Sequence, residues 1–123
     1  MILGLGSDLC PPSRWTHLID RFGPERCCAK FLHPEEAAYL LGGSARRLPE
    51  RLAGRWALRE AFGKALGVGL EGWSWRQLRY LEGRLWAEGA LAERLSQAGV
   101  TGLHATVAHD GGMALAVVIL ESS

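Results

Sequence analysis

The sequence predicts an α+β fold in which an antiparallel sheet packs on a long central helix. Three observations indicate this fold. The chain opens with a short apolar segment, its middle holds helical segments bounded by proline and glycine, and its second half holds two turn signals, Glu82-Gly83 and Asp110-Gly111-Gly112, each typical of a β-hairpin. Strands and helices do not alternate regularly, so an antiparallel sheet is favoured over a parallel one. A chain of 123 residues that is 48% hydrophobic is expected to form one domain, 1–123.

The first half of the chain is predicted to contain one strand and three short helices. Proline suits the first turn of a helix, glycine suits its end, and acidic residues suit its positive N-terminal end. In chain order, these elements are a strand at 2–9 ended by Pro11-Pro12, a helix capped by Ser13 that runs to Phe22, a helical piece at 25–30, and a helix that starts at His33-Pro34 and ends at Gly42-Gly43.

The second half begins with the longest helix, from Pro49-Glu50 to Gly67, where glycine is the expected residue just past a helix end. The remaining elements are predicted as strands at 73–81 and 84–87, a helix at 90–97, and strands at 103–109 and 113–121.

The long helix carries an acid and a base on a face that has few other polar residues. At 100° per residue, Leu58, Ala61, Phe62 and Ala65 share one face, which we expect to pack on the sheet. On nearly the opposite side Glu60 and Lys64 lie one turn apart, among the small or apolar residues Ala53, Trp56, Ala57 and Gly63. A solvated ion pair is one interpretation. The other is a covered site, because charges on a covered face need a metal, a phosphate or each other as partner.

Asp8 lies near the end of the first strand. Alternation places it on the same side as Gly4 and Gly6, which leave room for another element to approach closely. An Asx turn before Pro11-Pro12 is one interpretation of Asp8, and a metal ligand at a strand end is the other. Together, Asp8 and Glu60 would offer Mg²⁺ the one or two carboxylates that it typically takes from protein, with phosphate oxygens as further ligands.

Composition excludes several other classes of protein. The formal net charge of +1 argues against a nucleic-acid binder, and the Gly4-x-Gly6 pattern lacks the third glycine of a dinucleotide site. Three cysteines, two of them adjacent, make a poor disulfide framework and have no zinc spacing. No signal peptide or membrane-spanning stretch is recognised, so a cytoplasmic protein is expected.

As a set, these segments resemble the holo-acyl-carrier-protein synthase family. Its opening, Gly-x-Gly-x-Asp followed six residues later by Arg, is matched by GLGSDLCPPSR, and its central helix is matched by RLAGRWALREAFGKALGVG. Its Phe-Thr-x-x-Glu segment resembles FLHPEEAAYL, and its terminal Ser/Thr-His hairpin resembles LHATVAHDGGMALAVVIL. The matches occur in the family's order and span nearly the whole chain.

The resemblance implies the 4′-phosphopantetheinyl transferase fold, homotrimers with an active site at each subunit boundary, and a place in fatty-acid biosynthesis. It implies that a serine of an apo acyl carrier protein attacks the β-phosphate of coenzyme A and that 3′,5′-ADP leaves. Mg²⁺ would be held by Asp8, Glu60 and the pyrophosphate of coenzyme A, and Lys64 would contact the phosphates. Arg55 and His109 match positions near the nucleotide end, and Arg14 matches a position that docks the acidic carrier. The base that activates the serine is Asp8 or Glu60, directly or through water, and the sequence leaves this choice open.

Three departures from the family pattern stand out: Arg59 in place of Lys, Ala108 in place of Ser or Thr, and a shortened first hairpin. Arg59 and Ala108 motivate the hypothesis of a degenerate homologue that binds coenzyme A or carrier without transfer, whereas the shortened hairpin could alter trimer packing or carrier preference. Two further hypotheses are a Mg²⁺-dependent phosphohydrolase that uses the same carboxylates, and a trimeric structural protein whose polar helix face is a subunit contact.

Overall fold

The structure is a computed structural model that describes residues 1–67 and 74–123. Its elements, in chain order, are β1 (Ile2–Cys10), α1 (Pro12–Phe22), α2 (Pro24–Phe31), α3 (Pro34–Leu41), α4 (Leu48–Leu66), a 3₁₀ turn (Trp75–Gln77), β2 (Leu78–Leu81), β3 (Arg84–Ala87), α5 (Gly89–Gln97), β4 (Gly102–Asp110) and β5 (Met113–Glu121).

The main sheet has three antiparallel strands in the order β1-β5-β4, and β2 pairs with β3 in a separate antiparallel hairpin. The first and last strands of the chain are therefore neighbours. Both predicted hairpin turns are present, with positive φ at Glu82 and Gly83 and at Gly111 and Gly112, as expected for tight turns between antiparallel strands. The α+β prediction is confirmed.

Helix α4 packs against one face of this sheet and forms the centre of the core. Leu58, Ala61 and Phe62 are fully buried and Ala65 nearly so, as the periodicity of the helix predicts. Ala53 and Ala57 are also fully buried, so the helix is covered on more than one side. Glycine ends the helix as predicted: Gly67 has φ of 75° and donates its N–H to the Gly63 carbonyl.

Two predictions of local structure are wrong. Ser13 does not cap α1, because the helix already begins at Pro12, with Pro11 at the cap position and no side-chain capping bond. The strand predicted at 73–81 begins only at Leu78. Ser74 and Gln77 instead exchange side-chain to backbone hydrogen bonds, which stabilise a 3₁₀ turn in place of extended backbone. Trp73, the start of the predicted strand, lies outside the described residues.

Within the part of the chain that the structure describes, no helix combines the length and the apolar character needed to cross a membrane.

Candidate functional site

The candidate site lies where β1 crosses α4 at very short range. A Cβ added to Gly4 would lie 2.0 Å from the Ala65 carbonyl oxygen, and one added to Gly6 would lie 1.9 Å from the Ala61 carbonyl oxygen. These distances are far below van der Waals contact, so only glycine allows the strand backbone to rest on the helix backbone. This is the close approach that the alternation of β1 predicts.

The same contact sets the position of Asp8. Two residues of strand advance about 6.8 Å, which equals roughly four to five residues of helix. Since Gly4 lies over Ala65 and Gly6 over Ala61, Asp8 comes next, alongside the preceding turn of α4.

Lys64 connects the two elements. Its Nζ lies 3.0 Å from Asp8 Oδ1 and donates to it, and it also donates to the carbonyl oxygen of Ser7 at 3.0 Å. The Asp8 side chain is 21% exposed and that of Lys64 is 58% exposed, so the pair is open to a ligand. Glu60 is half-buried and lies one turn before Lys64, hence on the face of α4 that reaches Asp8.

The donor set suits a hard divalent cation. Among residues 1–67 and 74–123, no group of three or more His, Cys, Asp or Glu side chains is arranged to hold a metal. A metal held by the carboxylate oxygens of Asp8 and Glu60 would complete its shell from water or phosphate oxygens. That is the coordination that Mg²⁺ prefers, whereas Zn²⁺ or a transition metal would call for more nitrogen or sulfur ligands.

His109 lies against the N-terminal half of α4. A Cβ added to Gly54 would lie 3.2 Å from His109 Cε1, and His109 Nδ1 is 3.9 Å from Glu50 Oε1. Glycine at position 54 thus gives the imidazole room on the helix, next in sequence to Arg55. The preceding residue, Ala108, points to the opposite face of the sheet, as strand alternation requires.

Arg55 is held on another side of α4. Its Nε donates to Glu36 Oε2 at 3.3 Å, one Nη2 hydrogen is donated to the Tyr80 carbonyl at 3.4 Å, and its guanidinium lies 5.2 Å from the centre of the Tyr80 ring. The side chain is 15% exposed.

Arg59, which departs from the family pattern, is a buried structural residue. It is fully buried, and it donates to both oxygens of the equally buried Glu36 and to the carbonyls of Arg55 and Leu78. Burial lowers the pKa of the Arg59 guanidinium from its ordinary value, and the neighbouring Glu36 carboxylate opposes that shift. Glu36 was not predicted as a site residue, because the surrounding sequence shows only an acidic first turn of a helix.

Arg14 lies apart from these groups, at the rim of a cleft of about 460 Å³ formed by α1, α2 and α4. The apolar lining comes mainly from aromatic and aliphatic side chains: Trp15, Leu18, Phe22, Phe31 and Trp56. Exposed Arg26 and Lys30 add to the positive charge of Arg14 around it. Asp8 on β1 and Arg14 on α1 are six residues apart in sequence, on either side of the junction at Pro11.

Comparison with known proteins identifies the family. Residues 6–118 match the sequence model of the 4′-phosphopantetheinyl transferase superfamily, and the chain belongs to this superfamily. Among its curated relatives, a holo-[acyl-carrier-protein] synthase of Cutibacterium acnes is 35% identical over 126 residues, which cover 98% of this chain and 99% of the relative. One of Anaeromyxobacter dehalogenans is 38% identical over 131 residues, which cover 100% and 98%.

Solved structures agree. The crystal structure of holo-[acyl-carrier-protein] synthase from Neisseria meningitidis superposes with a TM-score of 0.88 at 27% identity, covering 99% of this chain and all of that one. The synthase of Bacillus anthracis, solved in complex with CoA (3′,5′-ADP), gives 0.78 at 27% identity, covering 100% and 99%. The family and fold that the sequence motifs predict are confirmed.

Proposed function

We propose that the protein transfers the 4′-phosphopantetheine group of coenzyme A to a serine of an apo acyl carrier protein and releases 3′,5′-ADP. The observation that carries this proposal is the full-length similarity to holo-acyl-carrier-protein synthases, combined with a lysine and a carboxylate that meet at the junction of β1 and α4.

Asp8 and Glu60 would hold Mg²⁺ together with the pyrophosphate of coenzyme A. When bound, the ion would neutralise charge on the pyrophosphate and on the leaving phosphate. Lys64 adds a positive charge from the protein, and its contacts with Asp8 and the Ser7 carbonyl hold its ammonium group in place before substrate arrives. Phosphoryl transfer depends mainly on such positioning and charge stabilisation, so a site with few groups suffices.

The carrier serine must lose its proton as it attacks. Asp8 and Glu60 are the carboxylates of the proposed site, and either one could accept this proton directly or through water. The proposal holds for either carboxylate as the base.

The cleft beside Arg14 is the proposed docking site for the carrier. Its apolar floor and its rim of Arg14, Arg26 and Lys30 suit an acidic amphipathic helix, whose apolar side would enter the cleft while its carboxylates meet the cations.

The proposed homotrimer would cover the outer face of the sheet. Leu3, Leu5 and Leu9 of β1 are 43%, 65% and 57% exposed, and Leu115 of β5 is 40% exposed. Leu9 and Leu115 are register partners, so these side chains form one apolar surface across two strands. A surface of this kind usually marks an interface. Leu9 follows Asp8 on β1 but faces away from α4, so a subunit bound there would cover the sheet face opposite the site. The number of subunits follows from the family resemblance.

A cytoplasmic location is part of the proposal. The three cysteines are free and buried, which suits a reducing compartment.

The decisive experiment incubates the protein with Mg²⁺, coenzyme A and several apo acyl carrier proteins, and measures the intact mass of each carrier. We expect a phosphopantetheine adduct on at least one carrier. Glu60→Gln should abolish transfer with an unchanged fold, because an amide is a poor Mg²⁺ ligand. Glu93→Gln, which changes an exposed acid on α5, is the matched control and should act like the wild type.

Three outcomes would contradict the proposal or its metal assignment. The absence of an adduct on any carrier, with coenzyme A still bound in calorimetry, would favour the degenerate homologue. Release of phosphate or phosphopantetheine without carrier would favour a phosphohydrolase. Full activity of Glu60→Gln would remove Glu60 from the site.

A further inference from the structure

The buried carboxylate of Glu36 binds two arginines of α4 at once. Its Oε1 accepts from Arg59 Nη2 at 2.5 Å, and its Oε2 accepts from Arg59 Nη1 at 3.2 Å and from Arg55 Nε at 3.3 Å. Glu36 and Arg59 are fully buried, whereas Arg55 keeps 15% of its side chain exposed. Glu36 thus connects a wholly interior cation to one that reaches the surface.

The charges of this cluster do not balance. Two guanidinium groups bind one carboxylate. Arg59 makes the stronger contact, because it binds both carboxylate oxygens in a bidentate arrangement. Arg55 makes a single, longer bond to Glu36, and it has no other carboxylate partner in the part of the chain that the structure describes. The cluster therefore has a net positive charge, and Arg55 is its one partly exposed residue, so an anionic ligand is favoured at Arg55.

The orientation of Arg55 depends on these contacts. Glu36 holds Nε and the Tyr80 carbonyl holds one Nη2 hydrogen, so described residues engage two of its five N–H donors from one side. Within residues 1–67 and 74–123 its three other N–H donors have no hydrogen-bond partner, so they can meet a ligand in a fixed direction. Without Glu36, the flexible arginine would lose its main anchor, and Arg59 would be left as a buried charge without a counter-ion.

We propose that Glu36 is a positioning residue that sets Arg55 to bind the 3′-phosphate of coenzyme A. The inference rests on the proposed function, which places Arg55 near the nucleotide end of the substrate. The 3′-phosphate is the charged group at that end apart from the pyrophosphate. Arg59, the residue that departs from the family's lysine, serves here as the buried counter-ion of Glu36.

The test compares coenzyme A with dephospho-coenzyme A, which lacks only the 3′-phosphate. The quantity measured is the ratio of kcat/KM for the two substrates, which does not depend on how much of the sample is folded. We expect the wild type to prefer coenzyme A by roughly tenfold or more, the usual effect of a charge-assisted hydrogen bond. Glu36→Gln and Arg55→Ala should each remove most of this preference, and the double variant should lose no more than either single one.

Glu35→Gln is the matched control. Glu35 precedes Glu36 in sequence, but its side chain is 60% exposed and pairs with Arg79 at 2.7 Å on the surface. This variant should keep the wild-type ratio. If Glu36→Gln does not fold, Glu36→Asp takes its place in the test. Aspartate keeps the negative charge, but its shorter side chain withdraws the carboxylate from Arg55, so this variant should also lose most of the preference for coenzyme A.

A wild-type ratio near one would overturn the inference, and so would an unchanged ratio in the Glu36 variant. Calorimetry with 3′,5′-ADP and 5′-AMP separates this inference from the proposed function, because binding needs no carrier. If Glu36→Gln removes the preference for 3′,5′-ADP while the wild type transfers nothing to any carrier, the positioning role stands and the transferase proposal fails.

Discussion

Replacing Gly6 by alanine tests the contact on which the site is built. The new Cβ would lie 1.9 Å from the Ala61 carbonyl oxygen and 2.8 Å from the Ala65 backbone nitrogen. Both atoms belong to a buried helix backbone that cannot rotate away. To restore a separation of 3.0 Å, β1 and α4 must move apart by at least about 1 Å.

Two effects follow from this displacement. Overpacking of this kind costs about 3 kcal/mol, the upper part of the usual range, since no flexible side chain can absorb it. The shift also separates Asp8 from Lys64, and a misplacement of 1 Å can cost roughly 100-fold in rate. We therefore expect kcat/KM to fall about 100-fold even at temperatures where the variant remains folded.

Urea denaturation measures the free energy of unfolding, and the carrier-modification assay measures kcat/KM. Gly42→Ala is the matched control, because position 42 has φ of −79° and the nearest atoms to an added Cβ lie at 3.4 and 3.7 Å. That variant should stay within about 0.5 kcal/mol of the wild type. If Gly6→Ala behaved like Gly42→Ala in both assays, the strand would not rest on the helix as described.

Four further predictions concern single residues. Lys64→Ala should change the free energy of unfolding by less than about 1 kcal/mol, because the pair is partly exposed, yet lower kcat/KM by at least roughly tenfold; unchanged kinetics would remove Lys64 from the site. Arg14→Glu should raise the KM for the carrier and leave the KM for coenzyme A unaltered, and equal effects on both would contradict a docking role. Leu5→Asp should lower the molecular mass measured by sedimentation equilibrium, because it places a charge on the apolar surface proposed as the subunit interface. A wild-type protein that is itself a monomer would contradict the proposed trimer. Burial raises the pKa of the Cys28 thiol to about 11 from 9.0, so its contribution to stability is complete below pH 9 and is lost as the pH rises from 9 towards 11. The free energy of unfolding of Cys28→Ala should therefore decline less steeply with pH than that of the wild type over this range. Identical slopes in the two proteins would contradict this prediction.

The sequence predicted most of the fold because its element boundaries carry strong local signals. Prolines open α2, α3 and α4, Gly67 ends α4, and both hairpin turns contain glycines with positive φ. Where two local signals competed, the prediction failed. Serine is a common capping residue, but Ser13 follows two prolines, and α1 begins at the second of them. The segment that contains Ser74 and Gln77 was predicted as a strand, but these two residues stabilise a 3₁₀ turn.

The sequence predicted the site less completely, because the contacts that shape it join distant positions. Lys64 could have paired with Glu60 within α4, yet the structure pairs it with Asp8, 56 residues earlier in the chain. Glu36 and Arg59 are 23 residues apart on different helices, and neither helix alone shows that they meet. Periodicity gives the face of a helix on which a residue lies, but only the packing of α3 on α4 shows which partner it meets.

The proposed chemistry depends most directly on Asp8 and Glu60 holding one divalent ion between β1 and α4. Crystals grown with coenzyme A and Mn²⁺, which replaces Mg²⁺ and scatters anomalously, locate that ion. We predict an anomalous peak within about 2.3 Å of one oxygen of each carboxylate and next to the pyrophosphate. A peak bound by other residues, or carboxylates too far apart to share an ion in every subunit, would contradict it.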